Sequence, residues 1–318
     1  MSERSPEEIV WNLLRGALGT RATAIVAELA VADALASGPR SASELAPEVG
    51  ADTETLHRLL RALASDGVFE ETEPGVFANT PASELLRRGD GWDDFAGLFG
   101  GIWHRAAGEL GPDGRPTFER VFGVDFWSWL AEHPAERAAF DRAMEQGKKR
   151  RVERLDPVEW RGDETVVDVG GGNGSLLVEL LRREPELRGI VFDLPETVRG
   201  EAALGERVEF VAGNFFESVP EGDVFVLSTI LHDWDDERAV AILRTIRRAA
   251  QPDSRLLILE SVVPPGNEPN GAKWLDLLML ALFAGKERSE AQWRELLAAG
   301  GFEPVRFHEA LVEAVPAA

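Results

Sequence analysis

The chain reads as α/β: a helical amino-terminal domain closed by a small hairpin, then an open, largely parallel sheet covered by helices. Three observations carry this. From residue 156 onward, apolar strand-like runs alternate with helical patterns, which implies parallel strands joined by crossover helices. Val166-Val167-Asp168-Val169-Gly170-Gly171-Gly172-Asn173-Gly174-Ser175 reads as strand, glycine turn and helix start. The first 80 residues instead read as helices followed by one hairpin.

In chain order, residues 10–36 carry a helical apolar stripe through Val10, Leu13, Leu14, Leu18, Ile25, Leu29, Val31 and Leu35. Ser43-Glu44-Leu45-Ala46 begins another helix. Asp52 opens a third, with Leu56, Leu59, Leu60 and Leu63 inward and Gly67 closing it. Val68–Glu70 and Gly75–Phe77 make a hairpin around Glu73-Pro74. Helix, helix, hairpin is a winged-helix layout. Such a module can read DNA, but residues 1–100 hold 8 basic and 17 acidic residues. That field repels a duplex, and the whole-chain charge of −22 argues the same way. Residues 95–155 are a helical bridge rich in aromatics. There Phe126, Trp127, Trp129, Phe140 and Met144 stand at helical spacing, and His104 is read as packing rather than reacting.

Composition bounds the rest. The 318 residues suit two domains. No uninterrupted apolar run approaches the roughly 18 residues of a membrane span, and Ser2–Glu8 is polar and acidic rather than a targeting signal. A cytoplasmic protein acting on a small molecule is expected, binding neither nucleic acid nor membrane. With no cysteine and no tyrosine, disulfides, thiolate chemistry and a phenolic acid–base group are all excluded.

The glycine turn is not a phosphate cradle. Counting from Gly170, the sixth position of G-x-G-x-x-G is Ser175, the third glycine being Gly174 instead. No lysine stands near, as a P-loop needs. Asp168 just before the turn would repel a pyrophosphate but suits a cofactor with a cationic centre and an ammonium group. The next strand, Gly189–Asp193, ends in an acid 19 residues after Gly174, where a ribose-binding carboxylate belongs. A third, Val208–Val211, leads to Asn214-Phe215, a polar and a stacking group suited to adenine. A fourth, Asp223–Leu231, runs into His232-Asp233-Trp234, and Asp235, Asp236 and Glu237 open the helix after it. Leu256–Glu260 is a fifth strand and Val305–His308 a late one.

With Asp168–Gly174, Phe192-Asp193-Leu194-Pro195, Leu231-His232-Asp233-Trp234 and Gly285-Lys286-Glu287-Arg288-Ser289, the chain resembles S-adenosylmethionine-dependent methyltransferases. More narrowly it is similar to the small-molecule O-methyltransferases, a family that includes plant phenylpropanoid and flavonoid, acetylserotonin and bacterial polyketide-tailoring enzymes. The resemblance implies a class I, Rossmann-like sheet ending in an antiparallel hairpin, behind a winged-helix dimerisation domain. The expected division is residues 1–98 for that homodimer-forming domain and 99–318 for the donor-binding domain, with 99–155 as a bridge to the acceptor pocket. It further implies a donor site made by Asp168, Gly170, Gly172, Asp193, Leu194, Asn214, Phe215 and Ser228, releasing S-adenosylhomocysteine. Phe140, Met144, Met279 and Phe283 are expected to line an aromatic acceptor.

The expected chemistry is O-methylation without a metal. A phenol with a pKa of about 10 is only about 0.1% ionised at pH 7, so a general base is needed. His232, at the end of the fourth strand, is the expected base. The family holds this histidine with acids, and Asp276 and Glu287 stand at the matching positions. Asp276, alone in the apolar helix Trp274–Met279, needs a partner on physical grounds as well. For Glu287 the competing reading is a surface ion pair with Arg288. Departures from the family temper the acceptor. Ser228 and Thr229 replace the lysine and tryptophan of plant members, Asn214 replaces an aspartate, and Phe283 replaces an asparagine of some members. A bulky aromatic such as a polyketide is therefore favoured over plant-type acceptors. Rival readings are a relative that uses the cofactor in decarboxylation or hydroxylation, a metal-dependent catechol-type enzyme, and a DNA-binding regulator.

Overall fold

The computed structural model describes residues 5–89, 91–145, 148–195, 197–198, 207–308 and 310–318; Ser2–Arg4 of the acidic start lie outside the described residues. Two compact units emerge. The described residues up to Leu110 group with 117–145, and Gly111–Pro116 group with those from 148 on. By packing, residues 99–110 and 117–145 of the expected bridge group with the first unit. Its aromatic side chains are used there: Trp103 packs on Phe95 and Phe99, and Phe118 on Phe122, Phe126 and Trp129.

In the first unit, helix Ala42–Val49 is capped by a reciprocal Ser41/Glu44 box, two residues before the start read from sequence. Asp52 caps Thr53–Ser65 through the Thr55 N–H. That helix buries Leu56, Leu60 and Leu63 against Leu45, Phe69 and Phe77. Strands Phe69–Glu73 and Val76–Asn79 form the hairpin, and Arg40–Ser41 adds a short third strand beside Val76–Asn79. Two residues leave no alternation to read in advance. Helix Pro6–Leu14 buries none of its residues.

The second unit is a seven-stranded sheet: β1 Thr165–Val169, β2 Arg188–Asp193, β3 Val208–Ala212, β4 Gly222–Ser228, β5 Ala250–Leu259, β6 Phe302–His308 and β7 Leu311–Pro316. Its order is 3-2-1-4-5-7-6. β1 to β5 pair in parallel, and β7 pairs antiparallel with both β5 and β6, the terminal hairpin that the resemblance implied. Four helices belong to this argument: α1 Ser175–Arg183, α2 Asp236–Ala249, α3 Ala272–Phe283 and α4 Glu290–Gly300. The central strands are buried on both faces, as parallel sheets require. Val167, Phe225 and Ile258 pack toward Ile242, Leu243 and Trp293 of α2 and α4, while Val166, Val224 and Leu257 pack toward Leu177 and Leu181 of α1. The strand order reverses between the parallel neighbours β1 and β4, and such folds bind ligands at the carboxyl ends beside that switch point. Among the described residues, no helix is long and apolar enough to cross a membrane.

Candidate active site

One side of the candidate site is built at the ends of β1, β2 and β3. Gly170, Gly172 and Gly174 all hold positive φ, at 75°, 59° and 77°, which lets the loop double back before α1. Asp193 at the end of β2 fastens it. One carboxylate oxygen accepts from the Gly172 N–H at 2.8 Å and the other from the Leu194 N–H at 2.7 Å. Asp168 is 2% exposed, and its Oδ2 has no hydrogen-bond partner. Burial pushes its pKa from 3.8 to about 7, with Asp193 adding repulsion and Arg151 opposing it. A buried acid oxygen left unpaired beneath a glycine loop is costly unless a cation completes it. That suits the amino group of S-adenosylmethionine, so the residues fit the cofactor.

In the same loop, a side chain at Gly170 would strike Ile230 and come within 3.8 Å of Phe215. The ring of Phe215 meets Phe216 and Trp234, forming an aromatic wall. The Asn214 side-chain oxygen accepts from the Phe216 N–H at 3.0 Å, which closes the turn and leaves the amide NH2 as its donor. Ser228 is the last residue of β4 and is half-buried.

The other side begins where β4 stops. Thr229 takes φ 55° and ends the strand, so His232 stands in a single 3-10 turn, Leu231–Asp233, beyond it rather than within it. The imidazole is buried, and its Nδ1 lies 2.6 Å from Glu287 Oε1. Asp233 Oδ1 lies 3.4 Å from Nε2. Burial opposes the charged imidazolium, but Asp233, Glu287 and Glu260 outweigh it and hold the pKa up at about 9. Burial also pushes Asp233 up to about 7, with Glu260 and Glu287 adding repulsion and His232 opposing. Gly285 lies against this turn so closely that a Cβ there would fall 1.9 Å from the His232 carbonyl oxygen.

One expectation needs correction, and the competing reading of Glu287 falls away. Asp276 does not hold the imidazole; its Oδ1 accepts the Glu287 N–H at 2.8 Å and so orients the residue that does. An acid in an apolar helix did need a partner, but a backbone N–H was nearer than the ring. Glu287 is not a surface group paired with Arg288. It is 5% exposed and bound to His232, while Arg288 pairs with Asp236.

Glu260 was not foreseen as a site residue. It follows β5 and is 1% exposed; its Oε1 accepts from the Ile230 and Leu231 N–H groups, and its Oε2 has no partner. Burial raises its pKa, Glu287 adds to this, and His232 and Arg288 oppose it. The available signal was one acid ending an otherwise apolar strand. Met279 and Phe283 share the Asp276 face of α3 at i+3 and i+7, Met279 buried and Phe283 half-buried. Phe140 and Met144 belong to the first unit, where both are half-buried and Phe140 packs on Phe126 and Trp127. His104 is half-buried there too.

Comparison with known proteins agrees with this geometry. Residues 104–303 match the O-methyltransferase domain family, and residues 11–89 match the O-methyltransferase dimerisation domain. The phenazine O-methyltransferase PhzM of Lysobacter antibioticus is 40% identical over 308 residues, 92% of this chain and 90% of that protein. The crystal structure of LaPhzM superposes with a TM-score of 0.91 at 39% identity, covering 98% of this chain and 100% of that one. NcsB1, an O-methyltransferase from neocarzinostatin biosynthesis solved with S-adenosyl-L-homocysteine and 1,4-dihydroxy-2-naphthoic acid, superposes at 0.79 with 33% identity, covering 93% and 95%. A glycine loop over a buried, unpartnered acid and a buried histidine backed by a carboxylate are in keeping with these matches across both units, which lead to one assignment: the chain belongs to the S-adenosylmethionine-dependent O-methyltransferase family.

Proposed function

We propose that this enzyme methylates a phenolic hydroxyl of an aromatic small molecule, as a homodimer, with His232 as general base. The observation that carries the reading is the 2.6 Å contact between His232 Nδ1 and Glu287. It favours the Nδ1–H tautomer, in which Nε2, 3.4 Å from Asp233 Oδ1, is the nitrogen that accepts a proton. Bound S-adenosylmethionine supplies a methyl group already activated on a sulfonium. The chain's own work is then to position the acceptor and remove its proton. Asp168, Gly170, Gly172, Asp193, Leu194, Asn214, Phe215 and Ser228 are assigned to the donor, with Asn214 donating to a ring nitrogen of adenine. An imidazole whose pKa is held up at about 9 is well matched to a phenol at about 10. Proton transfer between them is close to balanced, whereas an ordinary histidine would face a gap of roughly 3.5 units. Asp276, through the Glu287 backbone, steadies the acid that steadies the ring.

The aromatic acceptor is supported by relatives, among them a phenazine O-methyltransferase and NcsB1 crystallised with a dihydroxynaphthoic acid. Met279 and Phe283 on the Asp276 face are assigned to it on placement, and Phe140 and Met144 on the resemblance. The deciding experiment incubates the enzyme with labelled donor and a panel of phenols and hydroxynaphthoates, and counts S-adenosylhomocysteine per methylated product in the presence of a chelator. One-to-one release is expected. Product without stoichiometric S-adenosylhomocysteine sinks the transfer reading, and chelator loss restored by magnesium sinks the histidine-only mechanism.

A further inference from the structure

We infer that Arg288 is a positioning residue for the catalytic turn: its guanidinium clamps the backbone on both sides of His232 and thereby aligns the imidazole with Glu287. This rests on His232 being the base. Arg288 is the residue after Glu287, and it is wholly buried. Nη1 donates to the Leu231 carbonyl at 2.9 Å and, more weakly, to that of Lys286 at 3.4 Å. Nη2 donates to the Trp234 carbonyl at 2.9 Å and to Asp236 Oδ1 at 3.0 Å, and Nε reaches that same oxygen at 3.1 Å. A guanidinium has five N–H groups in a rigid fork, and these contacts engage the whole fork.

The placement of these bonds matters more than their number. Leu231 and Trp234 bracket the His232-Asp233 pair, so the clamp holds both ends of the turn. Asp236 lies in the first turn of α2, which ties the turn to a rigid helix. The Arg288 carbonyl accepts the Val263 N–H at 2.9 Å, anchoring the arginine to the segment after β5. Glu260 grips the other polarity of the same backbone, through the Ile230 and Leu231 N–H groups. One side chain of each sign thus locks the turn, and the 2.6 Å contact of His232 with Glu287 needs that locking, because a shift of about 1 Å can cost on the order of 10²-fold in rate.

Arg288→Lys keeps the charge but cannot reproduce the fork, so it separates position from electrostatics. The charged groups facing His232 are Asp233 on its own turn, Glu260 after β5 and Glu287 before α4; Lys286 and Asp236 flank the clamp. The chain has 5 histidines, so ring-labelled histidine can be titrated by NMR without an acceptor, with Asp233, Glu260 and Glu287 left intact. His232→Gln identifies the resonance. In the parent the His232 midpoint is expected near 9. In Arg288→Lys it should fall by about one unit or more as the ring parts from Glu287, and the neutral ring should lose its preference for the Nδ1–H tautomer. Arg294→Gln, which removes an exposed ion pair on α4, should leave both unchanged. A folded Arg288→Lys with an unmoved midpoint and tautomer overturns the inference. Should that variant not fold, Asp236→Ala, which removes two of the fork's contacts from an exposed acid, is read by the same criterion. The base reading is tested separately: His232→Gln retaining turnover would sink it while leaving the titration result standing.

Discussion

His232 is held at Nδ1 by Glu287, so on the proposed reading of it as the general base its behaviour follows from one protonation equilibrium. Because Nε2 must be free of a proton to act, activity requires the neutral ring. The surrounding carboxylates hold the pKa at about 9, and a raised histidine pKa makes the neutral form scarce below that value. kcat/KM is therefore expected to rise about tenfold per pH unit from pH 7 and to level near 9. A profile flat across pH 7–9 would contradict a base held in this state. Replacing the ring tests the same point. His232→Gln should lower kcat by at least about two orders, with donor affinity measured by calorimetry changed little. Glu287→Gln removes the hydrogen-bonded anion, so the limb should move to lower pH while the plateau drops.

At the scale of elements, the site is one short turn pressed between two others. Gly285 packs on the turn from one side, with no room for a Cβ beside the His232 carbonyl. Gly285→Ala must displace that backbone, and a kcat loss on the order of 10–100-fold is expected with far-ultraviolet dichroism unchanged; parental turnover would show that the contact is slack. This arrangement also explains what could be read in advance. The glycine loop, Asp193 and His232 announce themselves because each follows or ends an apolar run with a residue unlike it. The role of Asp276 was misjudged because composition says that an acid needs a partner but not which atom is near. Glu260 also ends an apolar run, but its partners are two backbone N–H groups of a different strand's loop, so its acid marked a strand end without telling what it would hold. The terminal antiparallel hairpin followed from resemblance rather than periodicity, since pairing across the sheet leaves no mark within one strand.

For the whole molecule, two buried acids, Asp168 of the proposed donor site and Asp233 of the His232 turn, are kept at a cost in stability. Asp168 and Asp233 are both pushed up to about 7 from 3.8. Folding therefore favours their protonated forms. Their contribution is full below about 4 and is lost as pH rises through about 7. Asp168→Asn removes one such group, so the free protein should lose less stability between pH 4 and 7. A gain on the order of 1–3 kcal/mol at pH 8 is expected in urea denaturation. Donor affinity should fall by about ten- to a hundredfold, because the charge-assisted bond is lost. A variant that is no more stable, or that binds the donor normally, would remove Asp168 from this role.

The amino-terminal face sets the other whole-molecule prediction. Helix Pro6–Leu14 buries none of its residues, and Trp11, Leu13, Leu14 and Leu18 are 60–75% exposed. Apolar surface left bare in this way marks an interaction site, and these residues fall inside the segment matching the dimerisation domain. Burying each leucine is worth roughly 1.5–3 kcal/mol, enough for a few of them to hold two subunits together. Introducing charge at Leu14 and Leu18 together should leave the core of the first unit intact, since neither contributes to it. Sedimentation of the Leu14→Glu, Leu18→Glu double variant is expected to give monomer at concentrations where the parent is dimeric. A double variant that sediments with the parent would move the interface to another surface.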